Sequence, residues 1–438
     1  MPARLILPAL PLLLLLVLAL LDLAVSTIEA AQSGAPLCRV LLPSLSSSQL
    51  SSEKALNRLI EEHNQTPGAE PRPIEVLRRG TDFSSLKELT VAAMAGTTPD
   101  LAAIEASEMP ALEAAHIALP RVRDRILSLV RGMDPDLLKS GQNSKGEQVA
   151  IPFERTLPLL LIDQEMLFRI RAKPEHPRTD WPSRWAEIEA LSRRFNQHFQ
   201  KTHSEEIPLE IPLLGARGLW IFEALSGHPL WKRETGGLRS NRELLPAMDR
   251  LRAWSSGPDR IARTDLTWER ATQDFIDRRS PLVVSSTDAL PLLRSQAGFR
   301  WTAIPLPTFE DQPSRLATGT NLVVLRDTPA VWALIQDLYR PDQAARWLQT
   351  GGYAPLKSDW ATALKSNPLQ NDLGLSDWTL PVGPWKIRGS RSMDPEMVRA
   401  RSSWIQGLIA IFGETAMRRT PSEVLTSLDR QINSGIQE

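Results

Sequence analysis

Short apolar segments alternate with amphipathic segments between residues 38 and 104, and this alternation constrains the fold more than any other feature of the chain. Apolar runs at 38–42, 74–77 and 101–104 predict strands, and the segments 52–63 and 84–94 between them have the apolar spacing of helices. Strands joined by helices form βαβ units, which favour a mostly parallel sheet. Ligands of such sheets bind at the carboxyl ends of the strands.

A second α/β region follows the first. It begins near 149–153, continues with a helix predicted at 185–199, and includes strands predicted at 282–284 and 322–325. The last hundred residues are mainly helical, and Thr-Pro-Ser-Glu at 420–423 predicts the start of a helix. About four hundred residues exceed the length that one hydrophobic core usually organises, so we expect two lobes.

The amino terminus has the layout of an export signal. A single basic residue, Arg4, precedes the apolar run 5–21, and small residues follow it as far as Ala31. We interpret residues 1–30 as a signal peptide cleaved between 26 and 31, which predicts a periplasmic protein. The alternative is an uncleaved anchor that holds the protein on the membrane.

Composition and missing motifs exclude several classes of function. The 51 basic and 51 acidic residues cancel, so no electrostatic footprint for nucleic acid is present. Cys38 is the single cysteine, which rules out an intramolecular disulfide. No histidine pair has metal-ligand spacing, and neither a nucleophile elbow nor a phosphate-binding glycine loop occurs. We therefore expect no metal, no cofactor and no catalysis.

Several segments resemble conserved motifs of one protein family. The segment TPDLAAI at 98–104 resembles an "aPDvv" strand, and the stretch 148–168 resembles "yalPf…pvLyyNkdlF". The segment 177–188 resembles "P.TWdEl", 318–322 resembles "gg..l", and WLQTGGYAPL at 347–356 resembles "W…tGYlPv". Together they resemble the extracellular solute-binding proteins of carbohydrate-type ABC importers, in the maltose and glycerol-3-phosphate branch.

The resemblance implies the two-lobed α/β fold of periplasmic binding proteins, with a ligand cleft between lobes that hinge segments join. By analogy, lobe one would span 36–153 with 326–375, and lobe two would span 154–325 with 376–438. A monomer of this kind captures a small solute and delivers it to the permease subunits of an ABC transporter. The resemblance implies a sugar, a polyol or a glycerol phosphate as the solute.

The resemblance also suggests ligand contacts in lobe one and at the first crossing. The family's tyrosine falls at Asp82 or Phe83 here, so Asp82 is the expected polar contact, or alternatively a helix cap. The family's acid is matched by Glu105, one position before the strict match. Its serine falls at Arg155 or Thr156; Arg155 would meet a phosphate or form a salt bridge.

Four more contacts come from the later segments. Ser286 stands where the family offers a hydroxyl, and Gly319 matches the glycine whose backbone approaches the ligand. Tyr353 lies in the GY.P motif whose tyrosine binds ligand in the glycerol-phosphate branch. Near the carboxyl terminus the strict match to a ligand-binding arginine or aromatic residue is Val398, and Arg399, with Arg401 close by, is the expected substitute.

Two other functions remain open on sequence grounds. A sensory or adaptor protein of the same fold would hand a signal to a membrane partner, because fold alone does not settle function. An exported carbohydrate hydrolase would need two carboxylates opposed across the cleft.

Overall fold

The computed structural model describes most of the chain beyond the amino-terminal segment. The described residues are 38–43, 50–65, 74–79, 85–109, 112, 117, 123–133, 135–143, 145–170, 182–202, 205–235, 237–256, 260–311, 314, 316–344, 346, 386–387, 395–413 and 419–434. The predicted signal peptide lies outside these residues. Within the described ranges, none of the helices combines the length and apolar composition that crossing a membrane requires.

Strands and helices alternate along the described chain. The strands are β1 (Cys38–Pro43), β2 (Ile74–Arg79), β3 (Leu101–Glu105), β4 (Ala150–Pro152), β5 (Pro158–Asp163), β6 (Leu209–Glu210), β7 (Trp231–Glu234), β8 (Gly237–Ser240), β9 (Ala262–Arg263), β10 (Leu282–Ser286), β11 (Trp301–Pro305), β12 (Leu316–Ala317), β13 (Thr320–Val324) and β14 (Lys386–Ile387). The helices are α1 (Leu50–Gln65), α2 (Ser85–Met94), α3 (Arg123–Leu129), α4 (Pro135–Lys139), α5 (Gln164–Ile170), α6 (Trp185–Thr202), α7 (Gly215–Ser226), α8 (Leu245–Ser255), α9 (Trp268–Ile276), α10 (Leu290–Gln296), α11 (Pro329–Leu338), α12 (Pro395–Phe412) and α13 (Pro421–Ser434). Short 3-10 turns follow β3 (Ala106–Glu108) and β10 (Thr287–Ala289).

The first sheet has the strand order β2-β1-β3-β13-β4. β1 runs parallel to β2 and β3, whereas β13 runs antiparallel to β3 and β4. Every residue of β3 is buried, because apolar side chains cover both faces of this sheet. This sheet, with the helices α1–α4 and α11 that pack around it, is the first lobe.

The second sheet has the order β11-β5-β10-β6-β9, with β10 parallel to β6 and antiparallel to β5. Its core is rich in aromatic rings; the Trp185 ring lies 5.4 Å from that of Trp254 and 5.0 Å from that of Phe309. The indole of Trp404, from α12, is buried in the same core. This sheet, with helices α5–α10, α12 and α13, is the second lobe.

The chain crosses between the sheets at two described points. It leaves the first sheet after β4 and enters the second at β5, and it returns between β11 and β13. Residues 320–324 therefore pair within the first sheet, whereas the sequence-based boundary assigned everything up to 325 to lobe two. The sequence of an apolar strand does not show which strand it pairs with. The sequence-based boundary was therefore placed several residues later than the crossing in the structure.

The capping pattern predicted at 420–423 is confirmed. Thr420 N–H donates to Glu423 Oε2 over 2.8 Å, and Glu423 N–H donates to Thr420 Oγ1 over 3.3 Å. These reciprocal bonds satisfy two of the amide groups at the start of α13 that have no partner within the helix. They also lower the pKa of Glu423, because its ionised form accepts the hydrogen bonds of Thr420.

A buried carboxylate lies at the end of β6. Glu210 is fully buried, and Arg263 Nη2 lies 2.5 Å from its Oε1. Burial raises the pKa of Glu210 to about 8; attraction to Arg263 opposes this rise, and repulsion from the buried carboxylate of Asp274 adds to it. Glu210 is therefore protonated in the folded protein at neutral pH.

The free energy of unfolding should fall as the pH rises from about 4.5 to about 8, since Glu210 is ionised in the unfolded chain and protonated in the folded one. The difference in pKa corresponds to on the order of 5 kcal/mol. Glu210→Gln should flatten this slope and raise the melting temperature near pH 8, with little change near pH 5. Thermal unfolding at several pH values measures it.

Glu189→Gln is the matched control, because Glu189 pairs with Arg193 on the surface of α6 over 2.7 Å. This variant should keep the slope of the wild type. Equal slopes for the wild type and Glu210→Gln would contradict the assignment.

Candidate functional site

Two backbone segments that join the lobes lie side by side. Thr156 N–H donates to the Thr318 carbonyl over 2.9 Å, and Thr318 N–H donates to the Thr156 carbonyl over 3.2 Å. The two hydroxyls bond to opposite lobes: Thr318 Oγ1 donates to Glu105 Oε1 over 3.2 Å, and Thr156 Oγ1 donates to Asp288 Oδ1 over 3.1 Å. This pair of crossing strands therefore links a polar group of each lobe to the junction between them.

On the first lobe the polar groups follow β3. Glu105 is the last residue of β3 and is 4% exposed, and the 3-10 turn after it carries Glu108. Arg401 of α12 reaches both carboxylates, with Nη2 3.2 Å from Glu105 Oε2 and Nη1 3.4 Å from Glu108 Oε1. A guanidinium from the second lobe thus forms ion pairs with two carboxylates of the first.

On the second lobe the polar groups follow β10. Asp288 accepts hydrogen bonds from Ser286 Oγ and Thr156 Oγ1, and its Oδ2 lies 2.7 Å from Arg217 Nη1. The Arg217 guanidinium lies 4.3 Å above the Trp268 ring, and Trp268 Nε1–H donates to Ser286 Oγ over 2.9 Å. Because β6 and β10 are parallel, their carboxyl ends bring Arg217 and Asp288 to one edge of the sheet.

Arg155 turns into the first lobe. Its Nη1 donates to the carbonyls of Glu154 and Thr320, and its Nη2 donates to Ser140 Oγ over 2.8 Å and to Asn321 Oδ1 over 2.6 Å. The side chain is 1% exposed, and burial lowers its pKa to about 10, so it stays protonated at neutral pH. These contacts join the crossing strand at 155 to β13. A part for Arg155 in ligand binding stays a prediction.

Gly319 is required by the backbone itself. Its φ is +143°, and a Cβ at this position would lie 2.1 Å from the Glu154 carbonyl oxygen. Its own carbonyl accepts a hydrogen bond from Ala106 N–H over 2.9 Å. The close approach of the two crossing strands therefore explains this glycine without a ligand.

The structure brings four of the predicted site residues to the junction: Glu105, Thr156, Ser286 and Gly319. Ser286 is fully buried beneath Asp288, so it positions that carboxylate. Asp82 and Tyr353 lie outside the described residues. Arg399 falls within α12, and its side chain is also outside them.

Sequence reasoning missed Arg217, Trp268, Asp288 and Thr318. Asp288 directly follows the predicted polar run 285–287, so its position in the sequence could have indicated a site residue. Arg217 and Trp268 lie far from this run in sequence. Arg401 was noted beside Arg399, and it is Arg401 that contacts Glu105 in the structure.

The assembled groups can hold hydroxyl groups. Carboxylates accept hydrogen bonds from hydroxyls, and guanidinium groups donate to their oxygens. Glu105 and Glu108 share one turn and one arginine, and so they are not a pair opposed across a cleft. Among the residues that the structure describes, no three His, Cys, Asp or Glu side chains come together as metal ligands would.

Two α/β lobes joined by paired crossing strands, with polar groups from both at the junction, define the class of two-lobed solute receptors. The family model for bacterial extracellular solute-binding proteins matches residues 74–374. The chain therefore belongs to this family, and its function is solute binding for ABC transport. The family consists of exported binding proteins.

Solved structures of similar fold support the same class, although a comparison with curated protein sequences found no match. UgpB from Mycobacterium tuberculosis, in complex with glycerophosphocholine, has a TM-score of 0.68 at 17% identity, over 90% of this chain and 98% of that one. The maltotriose-binding protein of Thermus thermophilus has a TM-score of 0.67 at 14% identity, over 91% and 99% of the two chains. The cyclic α-maltosyl-1,6-maltose-binding protein of Arthrobacter globiformis has a TM-score of 0.67 at 13% identity, over 91% and 99%. The predicted fold is confirmed.

Arg155→Ala should lower the free energy of unfolding by about 3–5 kcal/mol, because buried acceptors on both crossing strands lose their donor. Chemical denaturation measures the change. Arg340→Ala is the control, since Arg340 pairs with Asp342 at an exposed site and should change stability by less than about 1 kcal/mol. A stable Arg155→Ala that has lost only solute binding would instead make Arg155 a ligand contact.

Proposed function

We propose that this protein captures a hydroxyl-rich small solute, a sugar or a polyol, at the junction of Glu105, Asp288 and the paired crossing strands. The supporting observation is the paired threonines, whose hydroxyls reach a carboxylate on each lobe. A solute bound there would touch both lobes at once. The lobes would close around such a solute, and the permease of an ABC transporter would recognise this closed, solute-bound conformation.

The charges at the junction disfavour an anionic solute. Within the described residues, Arg217 is paired with Asp288, and Arg401 is paired with Glu105 and Glu108. Arg155 directs its donors to protein oxygens. A phosphate would have to compete with carboxylates for each of these guanidinium groups. Glycerol phosphates remain the second solute class, because a relative of similar fold was solved with glycerophosphocholine.

Export and assembly complete the proposal. Cleavage of residues 1–30 would release the chain into the periplasm as a monomer, and retention of the apolar run would hold it on the membrane. The family supports the periplasmic site, and size-exclusion chromatography with mass analysis of the secreted chain separates these forms.

A thermal-shift panel on the chain from Gln32 onward tests the function, with sugars, polyols, glycerol phosphates and amino acids as solutes. A solute at one hundred times its Kd should stabilise the folded protein by about 2.7 kcal/mol. Each hit would be titrated by calorimetry and incubated for product analysis. Binding without turnover supports a receptor, and turnover would favour a hydrolase.

Thr318→Val should weaken binding of the hit about tenfold, because Glu105 loses the hydroxyl that positions it. The matched control is Thr202→Val, at an exposed position near the end of α6. Tyr353→Ala tests the predicted tyrosine in the same assay. Unchanged affinity in Thr318→Val would place the solute elsewhere.

A further inference from the structure

The ion pairs of Arg401 cross between the lobes. Arg401 contacts Glu105 and Glu108 over 3.2 and 3.4 Å, and all three side chains are less than 10% exposed. Buried ion pairs are screened little by salt, so dissolved salt weakens the attraction between Arg401 and these carboxylates only slightly. Thr318 holds Glu105 in place from the side of the crossing strand.

Arg401 is fixed to the second lobe. The next turn of α12 carries Trp404, which is fully buried in the second-lobe core, and Leu408 follows it there. The helix packs along α13 and α7. Arg401 therefore moves with the second lobe and cannot follow the first lobe when the lobes separate.

Glu105 and Glu108 are fixed to the first lobe. Glu105 ends β3, and Ala106 N–H donates to the Gly319 carbonyl, which ties the turn after β3 to the crossing strand. Glu108 lies in the same 3-10 turn. Opening of the cleft must therefore pull these carboxylates away from Arg401.

We propose that Arg401, Glu105 and Glu108 form a latch, which holds the two lobes together before any solute binds. This proposal rests on the proposed function as a two-lobed receptor and adds a regulation of its site. Opening exposes the three charges to water, which offsets most of the lost attraction, so the latch is reversible. A solute whose hydroxyls bind Glu105 competes with the guanidinium for this carboxylate, and the contacts of the solute with both lobes then hold the lobes together in place of the latch.

Small-angle X-ray scattering of the chain from Gln32 onward, with no solute added, tests the latch. A compact chain of this length has a radius of gyration of about 22 Å, and Arg401→Gln should raise it by about 1 Å. Glu108→Gln removes only one of the two ion pairs of Arg401 and should give a smaller increase in the radius of gyration. Circular dichroism and a cooperative melt establish that each variant is folded.

Arg242→Gln is the matched control. Arg242 pairs with Asp429 over 2.8 Å, and both residues belong to the second lobe, so this variant should leave the radius of gyration unchanged. If Arg401→Gln does not fold, Glu108→Gln decides the question in its place. A folded Arg401→Gln or Glu108→Gln variant with wild-type scattering, or an equal expansion in Arg242→Gln, overturns the latch.

The solute panel decides the proposed function separately. Expansion in Arg401→Gln with no hit in the panel keeps the latch and rejects the solute assignment. A hit in the panel with unchanged scattering keeps the receptor and rejects the latch.

Discussion

The guanidinium of Arg155 joins the first crossing strand to β13, and the junction between the lobes is built beside that contact. Its four hydrogen bonds reach backbone carbonyls and side chains of 140, 154, 320 and 321. A charge buried this deeply needs such bonds to be tolerated; both terminal nitrogens have them, whereas Nε has no partner among the described residues. The contact therefore fixes the register of 156 against 318, and the two threonine hydroxyls at that register point toward opposite lobes.

The charged groups around this junction come in ion-paired sets rather than as isolated charges. Asp288 bonds to Arg217 within the second lobe, whereas Glu105 and Glu108 bond to Arg401 from the other lobe. The first set can move as a unit, because all of its members belong to one lobe. The second set resists separation of the lobes. Glu105 belongs to this set and also to the proposed solute site, so solute binding and lobe closure involve the same carboxylate.

Much of the fold was predictable, because the spacing of apolar residues and the capping of helices depend on residues close together in sequence. The strands at 38–42, 74–77 and 101–104 and the start of α13 follow from residues close in sequence. The lobe boundary at 325 was placed too late, since β13 looks like any buried apolar strand and only its pairing with β3 reveals its lobe. For the site, Glu105 and Thr156 could be predicted from motifs, whereas Arg217 and Trp268 could not, because no local signal links them to Asp288.

The sequence by itself determined the class of protein: alternating strands and helices and ordered family motifs define an exported α/β solute-binding protein. Tertiary structure alone decided what each polar residue does. Arg155 was expected to meet a phosphate or to form a salt bridge, and the fold directs its terminal nitrogens to backbone and side-chain oxygens of the protein. Arg401 was a neighbour of the expected residue, and the helix rotation gives it the carboxylates of the other lobe. The physical reason is that each residue type fixes which hydrogen bonds and ion pairs a side chain can form. Which groups it meets depends on where the chain crosses between the lobes and on which face of a helix the residue lies.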